Sequence, residues 1–257
     1  MKDIKEFENK IINGDCLEVM REIPNDSIDL MVCSPPYFNL REYAQWKTYE
    51  DYFVSVDLWF KEMSRILKTG RYLFWNIQNG YPVRLFDKDA ERKQLPMSSD
   101  TVQLAMKYFN YEACIIWNKG LAGATQRMFG SYPYPPTLMF SWLHEDILVF
   151  RKSGKAIYER KEDSKITQDE WVKLTNTIWN FQPETHNEHT APFPIELPLR
   201  AIKGWSFTSD IILDPFLGSG TTALAAKMLN RKYVGIELSE DYCKMSDSKL
   251  RGFNPMF

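Results

Sequence analysis

No stretch of this chain approaches the roughly 20 consecutive apolar residues a membrane-spanning helix needs, so no transmembrane segment is expected. Metal-type cysteine spacing is also missing. Cys16, Cys33, Cys114 and Cys243 are scattered, as fits reduced thiols in a cytoplasmic protein. Histidine is scarce, at three residues. His186 and His189 stand three apart with no third ligand pattern nearby, so no metal is expected. Charge of one sign is not in excess: 32 basic against 34 acidic residues leave −2. That argues against a uniformly basic nucleic-acid coat and leaves room for a local basic face. Internal repeats and low-complexity tracts are absent. Met1 to Lys10 is charged, so a secretory signal is not expected.

What is present is ample core material. The 257 residues are 44% hydrophobic, enough for one large α/β domain or a domain with an insertion. Aromatics reach 14%, and many lie in the central third outside the predicted helices.

The chain is organised around Ser34-Pro35-Pro36-Tyr37, which ends the apolar run Ile28 to Cys33. Five apolar residues in six read as a buried parallel strand that stops abruptly. Ser34 precedes a proline and is pushed towards extended backbone. Pro35 and Pro36 have fixed φ and no N–H to donate. The corner therefore displays acceptors, the Ser34 hydroxyl and neighbouring carbonyls, beside the aromatic plate of Tyr37. Acceptors plus a plate suit a flat ring carrying an NH2 group. A proline-terminated strand with a core tyrosine would look the same.

Strands alternate with helices at both ends of the chain. Lys10 to Asn13 predicts a strand, Cys16 to Ile23 a helix, Thr48 to Leu67 a long amphipathic helix capped by Gly70, and Arg71 to Ile77 a strand. Ser98 to Phe109 predicts a helix with Ser98 or Ser99 near its N-cap. Ala113 to Trp117 and Ile147 to Phe150 predict strands with no good helix between them, so one antiparallel strand is expected there. Ile211 to Leu213, Thr221 to Leu229 and Lys232 to Ile236 predict strand, helix and strand, and Ser239 a cap for the last helix. The pattern argues a doubly wound, mostly parallel sheet with helices on both faces.

A second site lies at Asp214-Pro215-Phe216-Leu217-Gly218-Ser219-Gly220-Thr221-Thr222, a glycine-rich turn between strand and helix. Glu237 ends the next strand, 17 positions beyond Gly220, near where an acidic residue accepts from ribose hydroxyls in nucleotide-type folds. No Lys-Ser or Lys-Thr follows the last glycine, so a phosphate-binding loop matches poorly. A nucleoside without phosphate remains, and S-adenosylmethionine fits. A tight strand-to-helix turn is the plainer alternative.

At this point a resemblance emerges. The chain resembles the amino-methylating DNA methyltransferases of the permuted (beta-type) order, in which the catalytic motif precedes the cofactor motif. Ser34 to Tyr37 is similar to the catalytic motif, and Asp214-Pro215-Phe216 through Thr222 to the cofactor motif. Ala191-Pro192-Phe193-Pro194 resembles the short motif before it, Val234 to Glu237 the ribose-binding strand, and Gly14-Asp15 the acidic turn that reaches the cofactor adenine. Asp15 could also be only a helix N-cap. The resemblance covers most of the chain except roughly 78–96 and 118–187.

It implies a Rossmann-like methyltransferase domain over 1–257, with a seven-stranded sheet in which the strands ending at Ser34 and Asp214 are neighbours. It implies S-adenosylmethionine as cofactor, held by Asp15, Phe193, Asp214, Pro215, Phe216, Gly218, Ser219, Gly220, Thr221 and Glu237. The implied activity is methylation of the N4 amine of a flipped cytosine in double-stranded DNA, in a restriction–modification system. Serine at the head of the motif leans towards N4-cytosine in this family, and aspartate towards N6-adenine. Adenine N6 is the nearest alternative, followed by an RNA base or a protein glutamine. A DNA-binding module that has lost catalysis is a third class, against which the intact glycine motif and Glu237 argue.

Ser34 and the Pro35 carbonyl are expected to accept the amine hydrogens, with Pro36 stiffening the corner and Tyr37 stacking on the base. Carbon-5 methylation needs a nucleophilic cysteine after a proline, and Cys33 follows Val32. His144-Glu145 reads as structural or part of a polar network rather than catalytic. Target recognition is expected within about 118–187, where cations interleave with aromatics. Lys119, Arg127, Tyr132, Tyr134, Arg151 and Lys152 are the expected DNA contacts. A homodimer is allowed for.

Overall fold

The computed structural model describes residues 2–38, 46–82, 94–120, 133–135, 140, 143–157, 160–183 and 194–253. Apolar runs bounded by turn residues become strands, and amphipathic stretches become helices. In chain order these are β1 (Lys10–Asn13), α1 (Cys16–Glu22), β2 (Ile28–Cys33), α2 (Tyr49–Ile66), β3 (Leu67–Ile77), β4 (Tyr81–Pro82), β5 (Gln94–Leu95), α3 (Met97–Ala105), β6 (Asn110–Asn118), β7 (His144–Arg151), α4 (Gln168–Thr175), β8 (Ile178–Asn180), α5 (Glu196–Trp205), β9 (Ile211–Asp214), α6 (Thr221–Met228), β10 (Lys232–Glu237) and α7 (Glu240–Gly252).

Eight strands form one sheet, in the order β1-β10-β9-β2-β3-β7-β6-β8. Its pairings are parallel except those of β7, which runs antiparallel to β3 and β6. The expected antiparallel strand is therefore β7. The sheet has one strand more than the seven expected. The addition, β8, is only three residues long and is pinned by the fully buried Trp179 opposite Trp117.

Side chains alternate across β2. Met31 and Cys33 join a core with Met20 of α1, Tyr52, Phe60 and Met63 of α2, and Met97 of α3. Leu30 and Val32 join the opposite core with Leu197, Ala201 and Ile202 of α5 and Ala225 and Ala226 of α6. Each large side chain so buried contributes about 1.5–3 kcal/mol relative to exposure. Burial on both faces explains why β2 reads as an apolar run interrupted only by Asp29.

Two local expectations are corrected. β3 begins at Leu67, immediately after α2, so Gly70 is not a helix cap. It lies inside the strand at φ +75°, where an added Cβ would sit 2.4 Å from the Ala156 nitrogen. The N-cap of α3 is Pro96, with no side-chain cap bond, and Ser98 is buried in the first turn instead.

β9 feeds α6 in one helical layer, while its neighbour β2 feeds α2 in the other. Chain direction thus diverges between these two strands, and a crevice opens beyond their carboxyl ends. Among the described residues no helix is long and apolar enough to cross a membrane.

Candidate active site

Register brings the two motifs together. Leu30 pairs with Ile212 and Met31 with Leu213, so Ser34 and Asp214 leave the same sheet edge side by side. Gly235 pairs with Asp214, and Asn13 with Glu237. Asp15, Glu237, the glycine turn and the proline corner therefore stand at the carboxyl ends of four adjacent strands. Three strand spacings set that row at about 14 Å.

The glycine turn is held from both sides. Asp214 is 1% exposed and accepts from the Phe216 N–H at 3.0 Å and the Thr222 hydroxyl at 2.6 Å. Thr222 Oγ1 also lies 3.4 Å from the Val32 carbonyl, tying the turn to the strand of the proline corner. Burial pushes the Asp214 carboxyl up to about 7, against the pull of the Thr222 and Phe216 donors. Gly218 and Gly220 adopt φ +55° and +85°. The Gly218 N–H donates to Glu237 Oε2 at 2.8 Å, and the Ser239 N–H donates to Oε1 at 2.8 Å. Each carboxylate oxygen keeps a second lone pair for an incoming hydroxyl.

α7 clamps the turn from outside: the Ser246 hydroxyl donates to the Gly218 carbonyl at 2.7 Å, and Lys249 Nζ to Ser219 Oγ at 3.2 Å. Ser219 and Thr221 are both buried here. Phe216, beside Pro215, packs edge-on to Trp59 and Trp75, with centroids at 4.9 and 6.0 Å. Asp15 caps α1, accepting from the Leu17 and Glu18 N–H groups through Oδ1. The backbone at Gly218 is open to close approach, since an added Cβ there would meet nothing within 4 Å.

At the proline corner the Ser34 hydroxyl donates to Tyr37 Oη at 3.1 Å, and Tyr37 Oη donates to Glu145 Oε2 at 3.1 Å. Asn76 Nδ2 donates to Tyr37 Oη at 3.0 Å and to Glu145 Oε2 at 2.7 Å. Lys119 Nζ closes the set on Glu145 Oε1 at 2.8 Å and lies 5.4 Å from the Trp117 ring centre. The polar-network expectation for Glu145 agrees with this geometry. Asn76 is the member that sequence reasoning misses: it is the next-to-last residue of β3, and only its polarity between Trp75 and Ile77 could mark it.

Several expected DNA contacts are placed elsewhere. Lys119 is buried and directs its ammonium at Glu145 rather than outward. Arg151 pairs with Glu112 at 2.6 Å, and Lys152 with Asp26 at 2.9 Å and the Leu67 carbonyl at 2.7 Å. Both close the antiparallel strand β7, so they stand at the sheet edge opposite the crevice. Tyr134 is 75% exposed. Phe193, Arg127, Tyr132, His186 and His189 lie outside the described residues.

No cysteine is activated. Burial pushes the Cys16 and Cys114 thiols up to about 12 and raises those of Cys33 and Cys243. Among the described residues no group of three or more His, Cys, Asp or Glu could hold a metal ion.

The chain is similar to known proteins over most of its length. M.BslI, a type II beta methyltransferase of a Bacillus species (strain NEB-606), is 32% identical over 92% of this chain, and the chain spans 27% of its length. The type II methyltransferase M.HinfI of Haemophilus influenzae is 29% identical, with 99% of this chain and 71% of that protein covered. TTHA0409 of Thermus thermophilus, solved with S-adenosyl-L-methionine, superposes with a TM-score of 0.81 at 28% identity, covering 97% and 96% of the two chains. PvuII DNA methyltransferase, cytosine-N4-specific, shares the fold at a TM-score of 0.72 and 17% identity, covering 97% and 88%. The family model described as DNA methylase, of N6 and N4 type, matches residues 28–248, and the chain belongs to that family.

Proposed function

We propose that the chain is a site-specific DNA methyltransferase of the restriction–modification type. It moves the methyl group of S-adenosylmethionine to the N4 amine of a cytosine flipped out of duplex DNA, in the cytoplasm. The observation that carries this reading is the pairing of β2 with β9, which sets the proline corner against the glycine turn.

The residues fit the cofactor. Glu237 holds lone pairs for the ribose, Asp15 neighbours it across the β1–β10 pair, and Gly218 leaves room for close approach. When bound, S-adenosylmethionine supplies a methyl group on a good leaving group. The chain itself supplies alignment and electrostatics. Ser34 Oγ gives its proton to Tyr37, so its lone pairs face the amine as acceptors. Together with the Pro35 carbonyl it favours rehybridisation of an amine whose lone pair is otherwise delocalised into the ring. Tyr37 presents its face to the base while its hydroxyl is held from behind. Ser34 supports cytosine as the target, and the segments within about 118–187 supply sequence recognition and phosphate contacts.

The test is a labelled transfer. After incubation with methyl-labelled S-adenosylmethionine and duplex DNA and digestion to nucleosides, label is expected in N4-methyl-2′-deoxycytidine. Label in N6-methyl-2′-deoxyadenosine would reject the base and keep the mechanism. Label only in RNA or protein would reject the substrate class.

A further inference from the structure

We propose that Glu145 ends a hydrogen-bonded proton path that starts at Ser34 and removes the proton lost by the target amine. This rests on the reading of the crevice as an amine methyltransferase site.

The path is continuous: Ser34 Oγ to Tyr37 Oη is 3.1 Å, and Tyr37 Oη to Glu145 Oε2 is 3.1 Å. Each hydroxyl on it donates forward, so a proton arriving at Ser34 can be matched by one leaving from Tyr37. Glu145 reaches the crevice because β7 is antiparallel. Its first residues, opposite Asn118 and Trp117, stand at the edge where its parallel neighbours end. Asn76 holds the path in register, spending Nδ2 on both Tyr37 and Glu145. Its own Oδ1 is buried with no partner among the described residues. An uncompensated buried carbonyl is costly, and the two donated bonds dictate it.

The ion pair points the same way. The Glu145 and Lys119 side chains are 14% and 10% exposed. Buried pairs are commonly no better for stability than apolar packing. Here the pair sits behind the hydroxyl of the proposed catalytic corner. Lys119 holds the Glu145 carboxylate in place through its other oxygen, Oε1, leaving Oε2 to Tyr37 and Asn76.

The step balances. The sulfur–methyl bond breaks as the nitrogen–methyl bond forms, and the nitrogen gains positive charge. Its proton passes to Ser34 Oγ, the Ser34 proton to Tyr37 Oη, and the Tyr37 proton to Glu145 Oε2. The products are a neutral methylamino base, a neutral thioether and a neutral carboxylic acid. The positive sulfonium and the negative carboxylate are discharged together. Glu145 is a positioning residue in this scheme, since it acts through Tyr37.

The experiment is a double-mutant cycle of Glu145→Gln and Tyr37→Phe, read as single-turnover methyl transfer, with cofactor affinity, DNA affinity and thermal unfolding measured alongside. E145Q is expected to slow transfer by about 10²- to 10⁴-fold while both affinities stay nearly unchanged. Because the two residues form one path, the double variant should be little slower than the slower single variant. A merely structural ion pair would instead lower stability and affinities and leave the transfer rate of bound substrate intact. E145Q at the wild-type rate, or multiplicative effects in the cycle, overturns the path. If E145Q fails to fold, Glu145→Asp replaces it. Its charge remains but its reach is one methylene shorter, so transfer should slow, and a full rate overturns the path. A wild-type chain that methylates no base overturns the functional reading itself.

Discussion

Replacing Ser34-Pro35-Pro36-Tyr37 with four alanines is expected to lower methyl transfer at least about 10⁴-fold and leave S-adenosylmethionine binding within about 3-fold. The corner contributes acceptors and orientation and, in this account, no cofactor contact. A preorganised hydrogen-bonding group is typically worth about 10²–10³ in rate, and alignment of the reacting pair adds to that. The alanines remove the Ser34 hydroxyl, the fixed φ of two prolines and the ring of Tyr37 at once. The glycine turn, Glu237 and Asp15 sit on β9, β10 and β1 and keep their own bonds. Single-turnover transfer and calorimetric cofactor titration read the two halves separately. Full activity in this variant would remove the catalytic role of the corner.

Gly220→Ala should be the most damaging single change at the cofactor turn. Gly220 has φ +85°, and an added Cβ would lie 2.8 Å from the Ser246 Cβ and 3.1 Å from its Cα. The left-handed backbone costs alanine about 1–2 kcal/mol. Overpacking against the helix backbone adds about 1–3 kcal/mol, for a total of about 2–5 kcal/mol. Relief requires α7 to move, which breaks the Ser246 bond to the Gly218 carbonyl. Cofactor affinity should then fall more than about 10-fold. Gly218→Ala is the control for stability, since its φ is +55° but its Cβ would meet nothing within 4 Å. Denaturant midpoints for the two variants check the ordering. Equal losses of stability would mean that contact with Ser246 is unimportant.

Much of this is legible in the chain because the signals are local. The prolines after Cys33 and the glycines after Asp214 each announce a strand end by backbone chemistry alone. The neighbouring position of β2 and β9 is not local. It comes from resemblance, since nothing in either strand says which partner it takes. The polar set behind Tyr37 is only partly visible: Glu145 and Lys119 lie 26 residues apart and meet only through the β6–β7 pair. Lys119 reads as a phosphate contact because it opens a stretch where cations interleave with aromatics, whereas its ammonium is turned onto Glu145 and the Trp117 ring. Arg151 and Lys152 stand away from the crevice for a simpler reason. An antiparallel β7 must turn its basic end away from the crevice, and a run of positive charge carries no record of strand direction. β8 is silent in the sequence because three residues carry too little period to stand out.

The most direct measurement is the position of bound S-adenosylmethionine in a crystal of the complex. An amine about 3 Å from Ser34 Oγ and about 3–3.5 Å from the methyl carbon requires that carbon within about 7 Å of Ser34 Oγ. That distance is expected, with the ribose on Glu237. A methyl group pointing away from the proline corner, or a cofactor seated elsewhere on the sheet, would contradict it.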